Sequence, residues 1–175
     1  RIWSANIGSG NTRKTRITAD PIVAGGRIFT LDSRSQLVAV STGGAALWSR
    51  DLTPSSERGR DGAGGGLAYG AGRLYVTTGF GRLHAIDPAS GQTIWVQGFE
   101  APVAGAPTVR DGLVYVSSRD NRAFAVRTDS GRLAWELNAS PSASSTVNGA
   151  GPAVDGRIAV FPFGSAELVG VQAQS

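Results

Sequence analysis

Four tryptophans, Trp3, Trp48, Trp95 and Trp135, recur at intervals of 45, 47 and 40 residues, and similar sequence surrounds each. A chain that repeats itself every 40–50 residues or so (roughly that period) folds as an array of small units rather than around one irregular core. Strand-like content at this period is the signature of a β-propeller, whose four-stranded sheets stand around an axis as blades.

The units align on Gly26, Gly72, Gly112 and Gly156. An alternating run follows or spans each anchor: R-I-F-T-L from Arg27, R-L-Y-V-T from Arg73, L-V-Y-V-S from Leu113 and R-I-A-V-F from Arg157. Alternation with β-branched and aromatic residues predicts a strand, the second of each blade. A turn rich in Gly, Asn or Asp comes next, and these residues accept the positive φ of tight hairpins. The third strand reads Q-L-V-A-V, R-L-H-A-I, R-A-F-A-V and E-L-V-G-V, with one column always small: Ala39, Ala85, Ala125 and Gly170. A column held to Ala or Gly predicts a large neighbour packed over it, and the tryptophan of the fourth strand is the candidate. Short segments such as P-I-V at Pro21 and P-T-V at Pro107 supply the first strand, nearest the axis.

The expectation is an all-β chain: one propeller segment over 1–175, of antiparallel four-stranded blades, about four of them. The blades are placed at 20–49, 66–97, 106–137 and, lacking its last strand, 151–175; residues 1–3 are the last strand of a preceding blade. No stretch keeps a helical period. The chain opens on Arg1 and holds no Met, so it is expected to be cut from a longer protein.

Composition narrows the chemistry. The net charge is +4, from sixteen Arg and one Lys, but these are scattered. Arg13, Lys14 and Arg16 form the one tight group, which is read as a solvated loop and not a nucleic-acid surface. There is no Cys, so disulfides, thiolate metal sites and cysteine nucleophiles are excluded from this segment. No apolar run is long enough to span a bilayer. Glu57, Glu100, Glu136 and Glu167 share no spacing that suggests a hard-cation site. His84 is the one histidine, and its column otherwise holds Val38, Phe124 and Val169, so it is read as a packing residue and not a general base. The run G-A-G-G-G at Gly62–Gly66 lacks the Lys and helix of a phosphate loop and is read as a place of close backbone approach near the axis or as a mobile loop. No catalytic, metal-binding or cofactor-binding residue is assigned.

The stretch A-I-D-P-A-S-G-Q-T-I-W at Ala85–Trp95 resembles the tryptophan-docking motif of the quinoprotein-type (PQQ-like) propeller repeat. A-V-R-T-D-S-G-R-L-A-W at Ala125–Trp135 is a second copy, with Arg127 in place of the usual Asp, and A-V-S-T-G-G-A-A-L-W at Ala39–Trp48 is a shorter third. The resemblance implies that Trp48, Trp95 and Trp135 dock blade to blade, over Ala39, Ala85 and Ala125 and over the turn glycines Gly91 and Gly131. Two groups share the repeat: quinone-dependent dehydrogenases and the BamB-type lipoproteins of the outer-membrane β-barrel assembly machinery. The phrases P-I-V-A-G-G-R-I-F-T-L-D, G-R-L-Y-V-T-T-G-F-G and V-D-G-R-I-A-V-F-P-F are similar to the amino-terminal half of the second group.

That resemblance implies about half of an eight-bladed ring and a non-catalytic, cofactor-free scaffold. The implied partner is a protein, the periplasmic domains of the barrel-insertion protein. The implied location is the periplasm, on the outer membrane through a lipid anchor outside this segment. The uncharged connector Asn138–Gly151, with Ser145, Thr146, Val147 and Asn148, is the implied partner-binding loop. Two alternatives stay open: a fragment of a PQQ-dependent dehydrogenase, and an extracytoplasmic ligand-sensing propeller.

Overall fold

A computed structural model describes residues 1–13, 15–57, 62, 64–103, 105–141 and 150–174. Among the described residues fifteen strands form four separate antiparallel sheets, each paired in simple chain order. Blade 1 holds β1 (Ile22–Ala24), β2 (Arg27–Leu31), β3 (Gln36–Ser41) and β4 (Ala46–Asp51). Blade 2 holds β5 (Gly65–Gly70), β6 (Arg73–Thr78), β7 (Arg82–Ile86) and β8 (Thr93–Gly98). Blade 3 holds β9 (Thr108–Arg110), β10 (Leu113–Ser117), β11 (Arg122–Arg127) and β12 (Leu133–Asn138). Blade 4 has three strands, β13 (Ala153–Asp155), β14 (Ile158–Pro162) and β15 (Leu168–Gln172). Helix among the described residues is limited to one 3₁₀ turn at Ser55–Glu57.

Two-residue turns set the register of the first hairpin in each of the first three blades. Gly25-Gly26, Ala71-Gly72 and Asp111-Gly112 all have positive φ at both positions. This geometry matches the right-handed twist of the flanking strands. In blades 2 and 3 each sheet then shows one face to the blade before and the other to the blade after.

Three apolar clusters fill the gaps between sheets. Phe29, Leu37 and Ala39 of blade 1 meet Leu74, Val76 and Ile86 of blade 2. Tyr75, Leu83 and Ala85 meet Val114, Val116 and Val126 of blade 3. Tyr115, Ala123 and Ala125 meet Ala159 and Phe161 of blade 4. The innermost strands touch in the same succession, β1 with β5, β5 with β9 and β9 with β13.

Arg1–Trp3, expected as the last strand of a preceding blade, pairs with no strand among the described residues. The inner strand of blade 2 begins at Gly65, one residue before the expected start at 66. A Cβ on Gly65 would lie 2.2 Å from the Thr77 carbonyl oxygen, and one on Gly66 would lie 2.4 Å from Ala106 Cα. The glycine run therefore lets β5 approach both its own sheet and the neighbouring connector.

Candidate functional site

The blade junctions are built from one repeated seat. Ala39 pairs with Trp48, Ala85 with Trp95 and Ala125 with Trp135, and each register shifts by a bulge one step further on. On its other side each alanine pairs with an aromatic: Phe29, Tyr75 and Tyr115. Strands two apart lie about 9.5 Å from each other. Yet the ring centroids are 5.8, 5.8 and 6.1 Å apart. The two rings therefore lean toward each other across the alanine, and only a methyl group leaves them room. The small column is explained by two aromatics, not by the tryptophan alone.

From there each indole reaches the next blade. Trp48 Nε1 donates to the Pro88 carbonyl at 3.2 Å, Trp95 Nε1 to Thr128 at 3.0 Å and Trp135 Nε1 to Ala173 at 3.1 Å. The ring faces lie on the turn glycines. A Cβ on Gly91 would be 2.7 Å from Trp48, and one on Gly131 would be 2.6 Å from Trp95. Both glycines also have φ near +70°, so the turn needs glycine for its backbone and again for the indole above it.

Trp3 occupies the same seat on blade 1, with Nε1 donating to Thr42 at 3.0 Å and the ring against Gly44. Arg50 adds a polar clasp, bonding the Gly91 and Ser90 carbonyls of blade 2. The seat turn of blade 2 is itself tied by Asp87, which accepts from the Ser90 and Ala89 amides. Those bonds hold its carboxyl below the usual range.

Strands run alternately up and down, so the long connectors leave the first three blades on the face opposite the indole seats. There they are rooted by a second repeated contact. The amide four residues after each tryptophan, at Leu52, Phe99 and Ala139, donates to the carbonyl of Ser35, Gly81 and Asn121 at 3.1, 2.7 and 2.9 Å. Each acceptor residue has positive φ in the tight turn between the second and third strands. The side chains of this column enter the next junction: Leu52 lies in the first cluster, while Phe99 and Ala139 pack against the second and third. An apolar residue four places after each tryptophan was the sequence signal for this contact. Asn121 extends the root by donating from Nδ2 to the Ser140 carbonyl at 2.9 Å. Ser145, Thr146, Val147 and Asn148 lie outside the described residues.

His84 is buried on the blade 1 side of β7, and among the described residues no group bonds either ring nitrogen. Burial, with Arg82 adding to it, lowers its pKa to about 4. It is neutral and packed, beside Val76 and Val96 in register. Glu100 and Glu136, which share no spacing, converge on Arg122 together with Asp120. Among the described residues no group of three or more His, Asp or Glu side chains is placed to hold a metal ion, and no helix is long and apolar enough to cross a membrane.

Residues 33–175 match the family described as outer membrane protein assembly factor BamB. The chain belongs to that family. It is 26% identical to the BamB of Yersinia pestis over 160 residues, covering 88% of this chain and 40% of that protein. It is 32% identical to quinohemoprotein alcohol dehydrogenase ADH IIB of Pseudomonas putida over 148 residues, covering 75% of this chain and 21% of that protein. The crystal structure of BamB from Moraxella catarrhalis superposes with a TM-score of 0.71 at 16% identity, over 91% of this chain and 46% of that one. The chain thus spans less than half the length of each of these three relatives.

Proposed function

We propose that the chain is a non-catalytic protein-binding scaffold of the outer-membrane assembly type. Its connector face engages a periplasmic domain of the barrel-insertion protein, and a lipid anchor outside this segment holds the parent at the outer membrane. Family membership over residues 33–175 carries the reading. The repeated roots at Leu52, Phe99 and Ala139 support it physically, because loops bind well when a stiff framework fixes both of their ends.

Calorimetric titration with purified periplasmic domains of the barrel-insertion protein tests the proposal. Saturable binding is expected. Replacing Ser142–Gly149 by an equal length of Gly and Ser, which leaves the root at Ala139 and Ser140 in place, is expected to weaken it at least tenfold with unchanged melting. The match to the Pseudomonas putida dehydrogenase favours a second reading, a sector of a quinone-dependent dehydrogenase. Dye reduction by the full-length protein with added quinone, Ca²⁺ and an alcohol, together with no binding in the titration, would replace the first reading by the second.

A further inference from the structure

Arg82 and Arg122 open the third strands of blades 2 and 3, β7 and β11. Their surroundings differ. Three carboxylates close on Arg122: Nε donates to Asp120 at 2.8 Å, and Nη1 to Glu100 at 3.1 Å and to Glu136 at 3.2 Å. The Ser118 hydroxyl donates to the same Asp120 carboxylate. In the matching places around blade 2, Phe80 stands for Asp120, Thr53 for Glu100 and Val96 for Glu136. Among the described residues no acid bonds Arg82.

The polar groups beside Arg82 lack partners as well. Thr78 pairs with Arg82 in register, as the counterpart of Ser118, and its hydroxyl is buried and bonded by no described residue. His84 follows on the same face of β7, only 6% exposed, with both ring nitrogens in the same condition. In blade 3 that place holds Phe124, packed on Phe99 and under the Arg122 guanidinium. Polar atoms buried without a hydrogen bond cost stability, and a partner that bonds them recovers it. The rim is apolar: Val96, in register with His84, is 43% exposed, and Ile94 of the same strand is 45% exposed. Both flanking sheets are complete four-stranded blades, so the groove owes nothing to where the chain begins or ends.

We infer that this groove, between blades 1 and 2 on the connector face, seats one acidic side chain of a partner protein. The carboxylate takes from Arg82 and Thr78 the bonds that Asp120 takes from Arg122 and Ser118. An apolar residue next to it in the partner covers Val96. Charge complementarity selects this occupant: blade 3 meets its arginine with carboxylates of its own chain, and blade 2 presents the same cation with none. A guanidinium suits the task because its fork holds a carboxylate by two bonds at once. The inference rests on the scaffold reading above and deepens it by naming the chemistry of one contact.

The single histidine makes the test direct. The imidazole NMR signals of His84 are followed while acetyl-Leu-Glu-Val-amide is added to the full chain at millimolar concentrations. A saturable shift is expected, and none from the same peptide with Gln in place of Glu. Arg82→Gln is expected to weaken binding at least tenfold. Val96→Glu, on an exposed side chain, supplies from within the carboxylate that Glu136 supplies in blade 3. It is expected to weaken the peptide at least tenfold, with melting equal to or above that of the unaltered chain. No saturable shift, or equal shifts with the Gln peptide or with Arg82→Gln, would overturn the seat, even where the periplasmic domains bind in the calorimetric titration. A shift that needs both Arg82 and the peptide's Glu, with no binding of those domains, would uphold the seat and overturn the choice of partner.

Discussion

Blades 3 and 4 carry the same alternation of apolar residues, yet their burial differs. In β10 all five residues are buried, whereas β14 alternates between buried and open positions and β15 between half-buried and exposed ones. The faces turned toward the preceding blade are alike, since Val114 and Val126 are as enclosed as Ala159 and Phe161. The whole difference lies on the forward faces. Tyr115 is sealed and donates its hydroxyl to the Ala173 carbonyl at 3.1 Å, while Val160 in the equivalent place looks outward. A blade does not make its own core. It owns half of two cores, and its neighbours complete them.

That contrast is sharpest for the two equivalent residues. Tyr115→Ala removes a buried ring and a buried hydrogen bond and is expected to cost about 4 kcal/mol. Val160→Ala is expected to cost under about 1 kcal/mol in the single chain. Urea denaturation of the two variants checks the pair, and equal losses would remove the distinction between sealed and open faces.

His84 probes the sealed junction between blades 1 and 2 in another way. Its folded pKa of about 4 lies below the usual 6.5. Between those values the unfolded chain binds the extra proton and the folded chain does not. Stability therefore falls as pH drops from about 6.5 towards 4, by about 3 kcal/mol at pH 4. His84→Val, matching Val38 and Val169 of its column, should remove that part of the pH dependence. Melting temperatures of both proteins measured from pH 7 to pH 4 check this, and parallel curves would contradict it.

The turn glycines give a smaller contrast. Gly131→Ala forces a methyl group onto Trp95 at a residue with φ +72°, whereas Gly156→Ala at φ +53° meets nothing within 4 Å. The first is expected to cost about 3 kcal/mol and the second about 1 kcal/mol, the latter being the left-handed backbone penalty alone. Thermal denaturation side by side separates the indole contact from the backbone effect. The smallest effect has the opposite sign. Ala71 has φ +49° in a two-residue turn, where Asn is preferred. Ala71→Asn is expected to raise stability by about 0.5–1 kcal/mol in the same assay.

Most of the fold was legible because each blade repeats its local rules in contiguous sequence. Alternation marked the second and third strands, Gly marked the first turn, and tryptophan marked the fourth strand. The docking column Ala39, Ala85 and Ala125 was legible as small, but its cause was only half visible. The second aromatic sits on a different strand about ten residues earlier in the chain, and nothing local says that it leans across. The convergence of Glu100 and Glu136 on Arg122 was not legible at all. Those three side chains come from a connector and two strands, and their spacing has no period to detect.

The amino-acid sequence by itself determined the repeat, the strand order within each blade and the residues that carry the indole seats. These depend on alternation, turn chemistry and side-chain size, all of which act within one unit. The tertiary structure alone decided which faces are closed, where His84 loses its proton, and that Trp3 keeps its seat without a strand around it. Those outcomes depend on what stands on the other side of each sheet. A strand's alternation specifies only that a face is apolar, never whether a neighbour is there to cover it.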